Sequence, residues 1–301
     1  MKTPDKQEVR VGISYASFVP QLLNDCPGLV DYVEVPVEVL YRQRDLLSKL
    51  CDRTDVILHC ASLSLAGNAP PSPGMAELIK SWIKESRTPW LGEHIAYLRM
   101  DDPARMLPQG SEEGITDSLS KSSGTDSSTY DVGYTVSPQF SPSVLERLGH
   151  NVSLYEDLFE VPVIVENGPI YFDMPGSAMT QWDFVSKLCR DFPTQKLLLD
   201  LAHLEITAFN GSLDPNSILS HIPLDRVSEI HIAGYTADAD IAWDDHAIPA
   251  RESTFQLLAQ VCRLHKPKAV TLEYNSDPLF SREVIERDLG RTRDIVLKSS
   301  L

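Results

Sequence analysis

Runs of β-branched and aliphatic residues recur along the chain, each followed by a longer stretch with apolar residues at every third or fourth position. The runs are Arg10–Ser14, Tyr32–Val35, Val56–His59, Leu91–Ile95, Val163–Glu166, Lys196–Asp200, Ser228–Ile232 and Ala269–Glu273. Runs that stay apolar, instead of alternating, predict strands buried on both faces. Strands of that kind separated by helices predict parallel pairing, and eight such units predict a closed α/β barrel, a (β/α)8 TIM barrel spanning residues 1–301 as a single domain. The helices read just as plainly. Ser141-Pro142 supplies a capping side chain and then a proline at the first helical position. Val144, Leu148, Val152, Tyr155 and Phe159 follow at intervals of three or four and predict one buried stripe. Ser253–Leu264 and Arg282–Leu297 have the same character.

One segment breaks the rhythm. Residues 100–137 include SLSKSSGTDSSTYD, rich in Ser, Thr, Gly and Asp. Such a stretch buries too little apolar surface to offset the entropy of ordering it, which predicts a flexible insertion. It follows the fourth strand on the side where a barrel carries its active site, so it reads either as a lid or as an inert insertion.

Composition narrows the partners. The 301 residues carry a formal net charge of −16, which argues against nucleic acid, since phosphate binding leans on clustered Lys and Arg. Met1–Arg10 lacks the apolar core of a signal peptide, and no run approaches membrane-spanning length, so no membrane partner is expected. Cys26, Cys51, Cys60, Cys189 and Cys262 are odd in number and form no CxxC, a pattern that fits a reduced cytoplasmic protein.

The ionisable residues cluster at the ends of the predicted strands. His59 closes the third strand, His94 the fourth and Glu166 the fifth; Asp200 ends the sixth, with His203 three residues on. His231 closes the seventh, Asp244 and His246 lie in the loop after it, and Glu273 closes the eighth. The C-terminal strand ends form the catalytic mouth of such a barrel. Strand alternation sharpens the picture: if Ile230 and Ile232 face the helices, His231 faces the axis. The same parity turns Glu166 inward with Ile164, Asp200 with Leu198 and His59 with Ile57, and turns Cys60 outward as a small buried hydrophobe. Any one of these histidines alone reads as a hydrogen-bonded core residue, and a lone strand-end acid as a helix cap. Five imidazoles and four carboxylates on one rim are different, because each charge buried without a partner costs several kcal/mol, on the order of the penalty for any desolvated ion. Cations would offset that cost. Imidazole and carboxylate without thiolate suit Fe, Zn or Mn, and nine ligands exceed what one ion takes.

The words around these residues carry a family resemblance. LHCASLSLAG around His59, GEHIAY around His94, VENGPIYF around Glu166, LLLDLAH around Asp200, EIHIAGY around His231, DDHAIP around His246 and TLEYNSD around Glu273 resemble the DUF692 family. Its members are the multinuclear non-haem iron-dependent oxidative enzymes, among them the methanobactin biosynthesis oxidase. The likeness runs from about Val11 to about Asp277, apart from the Ser-rich insertion. It implies a (β/α)8 barrel with two or three iron ions, dioxygen as co-substrate, and oxidative modification of a residue, most often cysteine, in a ribosomally made precursor peptide during natural-product biosynthesis. It also implies a heterodimer with a small partner protein that presents the peptide's leader segment. By motif, His59, His94 and Glu166 would hold one iron, and Asp200, His231 and Glu273 a second; His203, Asp244 and His246 would hold a third, more labile one. Asp200 and His203, together with Asn275, are the candidate catalytic residues. Glu34, Glu93 and Asn167 are candidates for orienting the ligands.

Two departures stand out. Where the family often reads D-T-H-D-H-P, this chain reads Ala242-Trp243-Asp244-Asp245-His246-Ala247, so the third ion's acid is Asp244 or includes Asp245. The family's acid shortly after the last Glu is here Asn275. Rival readings are a zinc or manganese enzyme, either a hydrolase like endonuclease IV or a sugar isomerase, and a non-catalytic metal-bearing binding module. The acidic charge weighs against a DNA substrate.

Overall fold

The computed structural model describes residues 8–68, 70–101, 129–275 and 280–298. Eight parallel strands close a barrel: β1 (Arg10–Ser14), β2 (Tyr32–Pro36), β3 (Asp55–Cys60), β4 (Leu91–His94), β7 (Val163–Glu166), β8 (Lys196–Asp200), β9 (Val227–Ile232) and β12 (Ala269–Leu272). Around the ring they follow one another in chain order, and β12 closes on β1 with Arg10 opposite Ala269 and Ile13 opposite Leu272. Every strand lies within one residue of the run predicted from the sequence. Between them come helices α1 (Val19–Asp25), α2 (Val37–Leu40), α3 (Leu46–Cys51), α4 (Pro73–Ser86) and α5 (Pro142–Phe159). After β7 follow α6 (Gln181–Asp191), α7 (Leu201–Asn210), α8 (Pro215–Leu219), α9 (Glu252–Leu264) and α10 (Arg282–Lys298). The cap of α5 is as predicted, with the Ser141 side chain accepting from the Val144 amide and the Val144-to-Phe159 stripe buried.

Two small ribbons decorate the mouth. β5 (Tyr97–Asp101) pairs antiparallel with β6 (Thr129–Val136), and β10 (Thr236–Ala237) with β11 (Ala242–Trp243). β5 and β6 flank the Ser-rich insertion and pair across its two ends, with a register shift between Tyr97 and Arg99; the centre of that insertion, residues 102–128, lies outside the described residues.

The core divides at the barrel wall. Outward-facing residues such as Val11, Val33, Val165, Ile230 and Ile232 pack with the helices, and Cys60 belongs to this layer, as its parity predicts. Inward-facing Tyr32, Ile57, Ile164, Leu198 and Ala269 form a separate inner cluster with Trp90. Large side chains fit inside only because small ones stand opposite. Gly12 is in register with Tyr32, and a Cβ at Gly12 would lie 2.5 Å from the Tyr32 ring. The ring has nowhere to go, since it is fully buried and its hydroxyl is bonded to Glu229 and Thr271. Gly12→Ala should therefore destabilise the fold by roughly 1–3 kcal/mol, the usual cost of overpacking a tight core. Urea denaturation checks this; an unchanged midpoint would contradict the packing described.

Candidate metal centre

Above the inner apolar layer the barrel interior turns polar. The cause is the two-residue strand period: His59, Glu166 and Asp200 stand two positions beyond Ile57, Ile164 and Leu198. His59 also needs a small neighbour. Gly92 is in register with it on β4, and a Cβ at Gly92 would lie 2.5 Å from His59 Nδ1.

Glu166 is the hub. Its Oε2 lies 3.2 Å from His59 Nε2 and 3.3 Å from His94 Nε2, and its Oε1 lies 3.4 Å from His203 Nδ1 and 3.8 Å from His231 Nδ1. His231 Nδ1 is 3.2 Å from Glu273 Oε2. On the outer side Asp244 bridges two imidazoles, with Oδ2 3.0 Å from His203 Nε2 and Oδ1 2.7 Å from His246 Nε2. Among the described residues, four sets of donors converge within 4.8 Å: His59, His94 and Glu166; Glu166, Asp200, His231 and Glu273; His203, Asp244 and His246; and Glu34, His59 and His231. All nine residues singled out from the strand ends thus fall into sets that share members or touch.

Local structure aims each donor. β8 runs into α7 with no intervening loop, so Asp200 is at once the last strand residue and the helix cap; one carboxylate oxygen accepts from the His203 amide at 2.6 Å. Asn167 clamps the Asp200 backbone through two 3.0 Å bonds, and its carbonyl accepts from His203 Nδ1 at 2.7 Å. His246 adopts a left-handed backbone (φ 49°), a conformation that costs a β-carbon residue on the order of 1 kcal/mol and turns the ring inward.

The donor set fits metal cations. Glu166 Oε2, Asp200 Oδ2 and His231 Nδ1 are buried and accept no hydrogen bond from the protein. His203 states the problem most clearly. Its Nδ1 proton goes to the Asn167 carbonyl, so a neutral ring would turn the Nε2 lone pair toward the Asp244 carboxylate. Two acceptors face each other across 3.0 Å, and only a proton or a metal ion relieves that.

Protonation follows the same geometry. Burial and the neighbouring imidazoles hold His59 well below the usual histidine range and His94 at about 4. Burial also opposes charge on His203, His231 and His246, but acids outweigh it: Asp200 and Asp244 at His203, Glu34 and Glu273 at His231, Glu273 and Asp244 at His246. His246 rises to about 10. Burial lifts Glu166 and Asp200 above the usual carboxylate range and Glu34 to about 8. Glu273 and Asp244 resist their own burial and fall below it, held by His231 and His246 in one case and by His203 and His246 in the other.

The remaining candidates sit around this cage. Asp244 is the acid that faces the imidazoles; the Asp245 carboxylate instead accepts from the Thr236 and Ala247 amides and the Thr236 hydroxyl, tying down the β10–β11 ribbon. Asn275 is exposed, and its amide donates to the Asp245 carbonyl at 3.0 Å, outside the four donor sets. Glu93 points away from the axis and accepts from the Leu63 and His94 amides, anchoring the loop after β3. Glu34 lies 2.9 Å from His231 Nε2. Sequence reasoning missed Glu229, buried below His231 and bonded to Trp90, Tyr32 and Thr271. Its inward parity, two residues before His231, is the signal that marks it.

Comparison with known proteins adds a family. The one described as "RiPP precursor modification enzyme MbnB/TglH/ChrH" matches residues 10–113 and 115–295. A UPF0276 protein of Streptomyces avermitilis is 25% identical over 291 residues, covering 96% of this chain and 55% of the relative. One of Caulobacter vibrioides is 30% identical over 144 residues, covering 48% of this chain and 51% of the relative. The chain thus spans about half the length of these relatives, although UPF0276 protein PA3283 of Pseudomonas aeruginosa, 25% identical over 83% of this chain, is itself covered to 80%. Among solved structures, an L-ribulose 3-epimerase (TM-score 0.53, 9% identity, 97% of this chain and 96% of that one) shares the fold. So does D-psicose 3-epimerase from Clostridium cellulolyticum (TM-score 0.50, 12% identity, 97% and 99%).

The protonation pattern sets a pH dependence. In the metal-free protein His203, His231 and His246 hold protons at neutral pH, whereas His59 and His94 do not. A cation needs the lone pairs those protons occupy, so binding must expel protons, and affinity must fall as the pH falls. Calorimetric titration with zinc in two buffers of different ionisation enthalpy should show net proton release at neutral pH. Heats independent of the buffer would contradict the assignment.

Proposed function

The chain belongs to the MbnB/TglH/ChrH family of RiPP precursor modification enzymes, and from that premise we propose that it oxidises a residue, cysteine foremost, of a ribosomally synthesised precursor peptide with two or three iron ions and dioxygen. The observation that carries this reading is Glu166, whose two oxygens face separate donor sets and so suit adjacent ions in one cage. His59, His94 and Glu166 would hold one ion, Asp200, His231 and Glu273 with Glu166 a second, and His203, Asp244 and His246 a third. Bound iron would supply one-electron redox chemistry toward dioxygen, which zinc lacks.

The protein's own part is placement. Glu166, Asp200, His203 and His231 are almost fully buried, whereas the side chains of His94, Asp244, His246 and Glu273 are each 17–21% exposed. The peptide therefore approaches from the His94 and His246 side. Tyr171 and Trp243 pack with ring centroids 5.3 Å apart beside Asp244, and the Tyr171 hydroxyl accepts from the Asp244 amide. They form an aromatic wall that holds a peptide side chain near the cage and sheds water from it. Asn167 and Asp200 keep His203 fixed while the substrate enters. Asp200 and His203 act at the reacting centre, and Asn275 acts at its rim. We assign the small leader-binding partner to the same system, and the cytoplasm as its compartment, a placement supported by five free cysteines. Among the described residues no helix is long and apolar enough to cross a membrane.

Anaerobic purification followed by metal analysis should give iron, and a cysteine-bearing precursor peptide should drive oxygen uptake with a matching change in peptide mass. Zinc in place of iron, with no oxygen uptake, would overturn the oxidase reading in favour of a hydrolase. His231→Ala should lose metal and activity together, by about 100-fold or more in rate where a ligand of the reacting ion is removed. Full activity in that variant would defeat the ligand assignment.

A further inference from the structure

His231 has a carboxylate at each ring nitrogen, and the two contacts differ in kind. Nδ1 faces Glu273 at 3.2 Å and Glu166 at 3.8 Å, within the set of acids that also holds Asp200. Nε2 faces the other way, 2.9 Å from Glu34 Oε2, a hydrogen-bond distance. A neutral imidazole offers one N–H and one lone pair, so the partner of one nitrogen decides what the other presents.

Glu34 is the acceptor within reach. Glu229 lies 3.9 Å from Nε2, beyond hydrogen-bond length, and its oxygens are already engaged. The Trp90 indole N–H donates to one at 2.6 Å, and the Thr271 and Tyr32 hydroxyls donate to the other at 2.7 and 3.2 Å. Glu34 comes from β2, across the barrel and 197 residues away in sequence, and is 1% exposed. Its other oxygen, Oε1, has no hydrogen-bond partner in the protein, so no competing donor draws the carboxylate away from His231.

We propose that Glu34 is a positioning residue that holds the proton of His231 on Nε2 and thereby aims the Nδ1 lone pair at the ion held by Glu166, Asp200 and Glu273. The role rests on the reading of that set as a metal site. A carboxylate behind a ligating imidazole fixes the ring's tautomer and orientation and raises its basicity, and removing such a partner typically weakens metal affinity by roughly 10–100-fold. Only the ion on His231 Nδ1 depends on this contact; the His203, Asp244 and His246 set does not include Glu34.

Zinc, which is diamagnetic, is the probe. Nitrogen-15 NMR of the zinc-loaded full chain should show His231 protonated on Nε2 and metal-bound through Nδ1. In Glu34→Ala that single tautomer should give way to a mixture, and one zinc equivalent should bind roughly 10–100-fold more weakly while the others bind as before. Glu34→Gln, which preserves volume and an acceptor oxygen, should keep the tautomer and lose less affinity. Thermal unfolding of the metal-free variants reports whether they fold, and a purely structural carboxylate would change that readout without changing the tautomer. Zinc on Nε2 of His231, or a Glu34→Ala protein with an unaltered tautomer and unaltered affinities, would overturn the proposal. A wild-type chain that binds no metal at all would instead overturn the metal reading on which it rests.

Discussion

Buried carboxylates that meet imidazole lone pairs inside the barrel are the constraint around which this molecule is built. Glu34, Glu166 and Asp200 are each at most 1% exposed, and each raises a cost that ordinary core packing avoids. Protonation relieves part of it: Glu166 and Asp200 rise above the usual carboxylate range, and His203 and His231 rise above the usual histidine range. That relief is incomplete, since Glu166 Oε2 and Asp200 Oδ2 stay buried with no hydrogen-bond partner in the protein. Cations satisfy the same atoms together.

The rest of the fold makes that arrangement tolerable. Stability comes from outside the wall, where strand residues and helices share one large apolar cluster. Inside, the lower layer of Tyr32, Ile57, Ile164 and Leu198 forms a dry floor, and the Glu229 network of Trp90, Tyr32 and Thr271 closes it. His59, His94, Glu166, Asp200 and His231 stand on strands, so backbone pairing fixes their spacing, while His203 stands on α7 and Asp244 and His246 in the loop after β11. Glycines 12 and 92 make room for the large rings that share the interior. The side facing solvent carries the more exposed donors and the aromatic pair Tyr171 and Trp243, so the cage opens toward solvent and is sealed beneath.

Much of this is written in local sequence pattern. Buried parallel strands read as continuous apolar runs, and period-two alternation told His59 from Cys60, and His231 from Ile230, without any long-range information. What escaped is what depends on pairing across the barrel or on loop geometry. Glu229 lies in the same strand as His231, but its role appears only when Trp90, Tyr32 and Thr271 are brought to it from three other parts of the chain. The choice between Asp244 and Asp245 turns on the two-residue ribbon β10–β11, too short to leave a pattern, which engages Asp245 and frees Asp244. Asn275, picked for its place after Glu273, donates to the Asp245 carbonyl, a contact set by the loop after β11. The pairing of β5 with β6 joins segments separated by a polar stretch whose composition announces no strand.

On the reading proposed above, these residues meet because cations draw them together. Anomalous diffraction from crystals of anaerobically purified protein, measured on either side of the iron absorption edge, tests it most directly. Discrete iron peaks are expected within bonding distance, roughly 2.0–2.2 Å, of Glu166 and of the nitrogens of His59, His94 and His231. Crystals of a fully loaded sample with no anomalous signal in that cage, and with the nine side chains still gathered there, would contradict it.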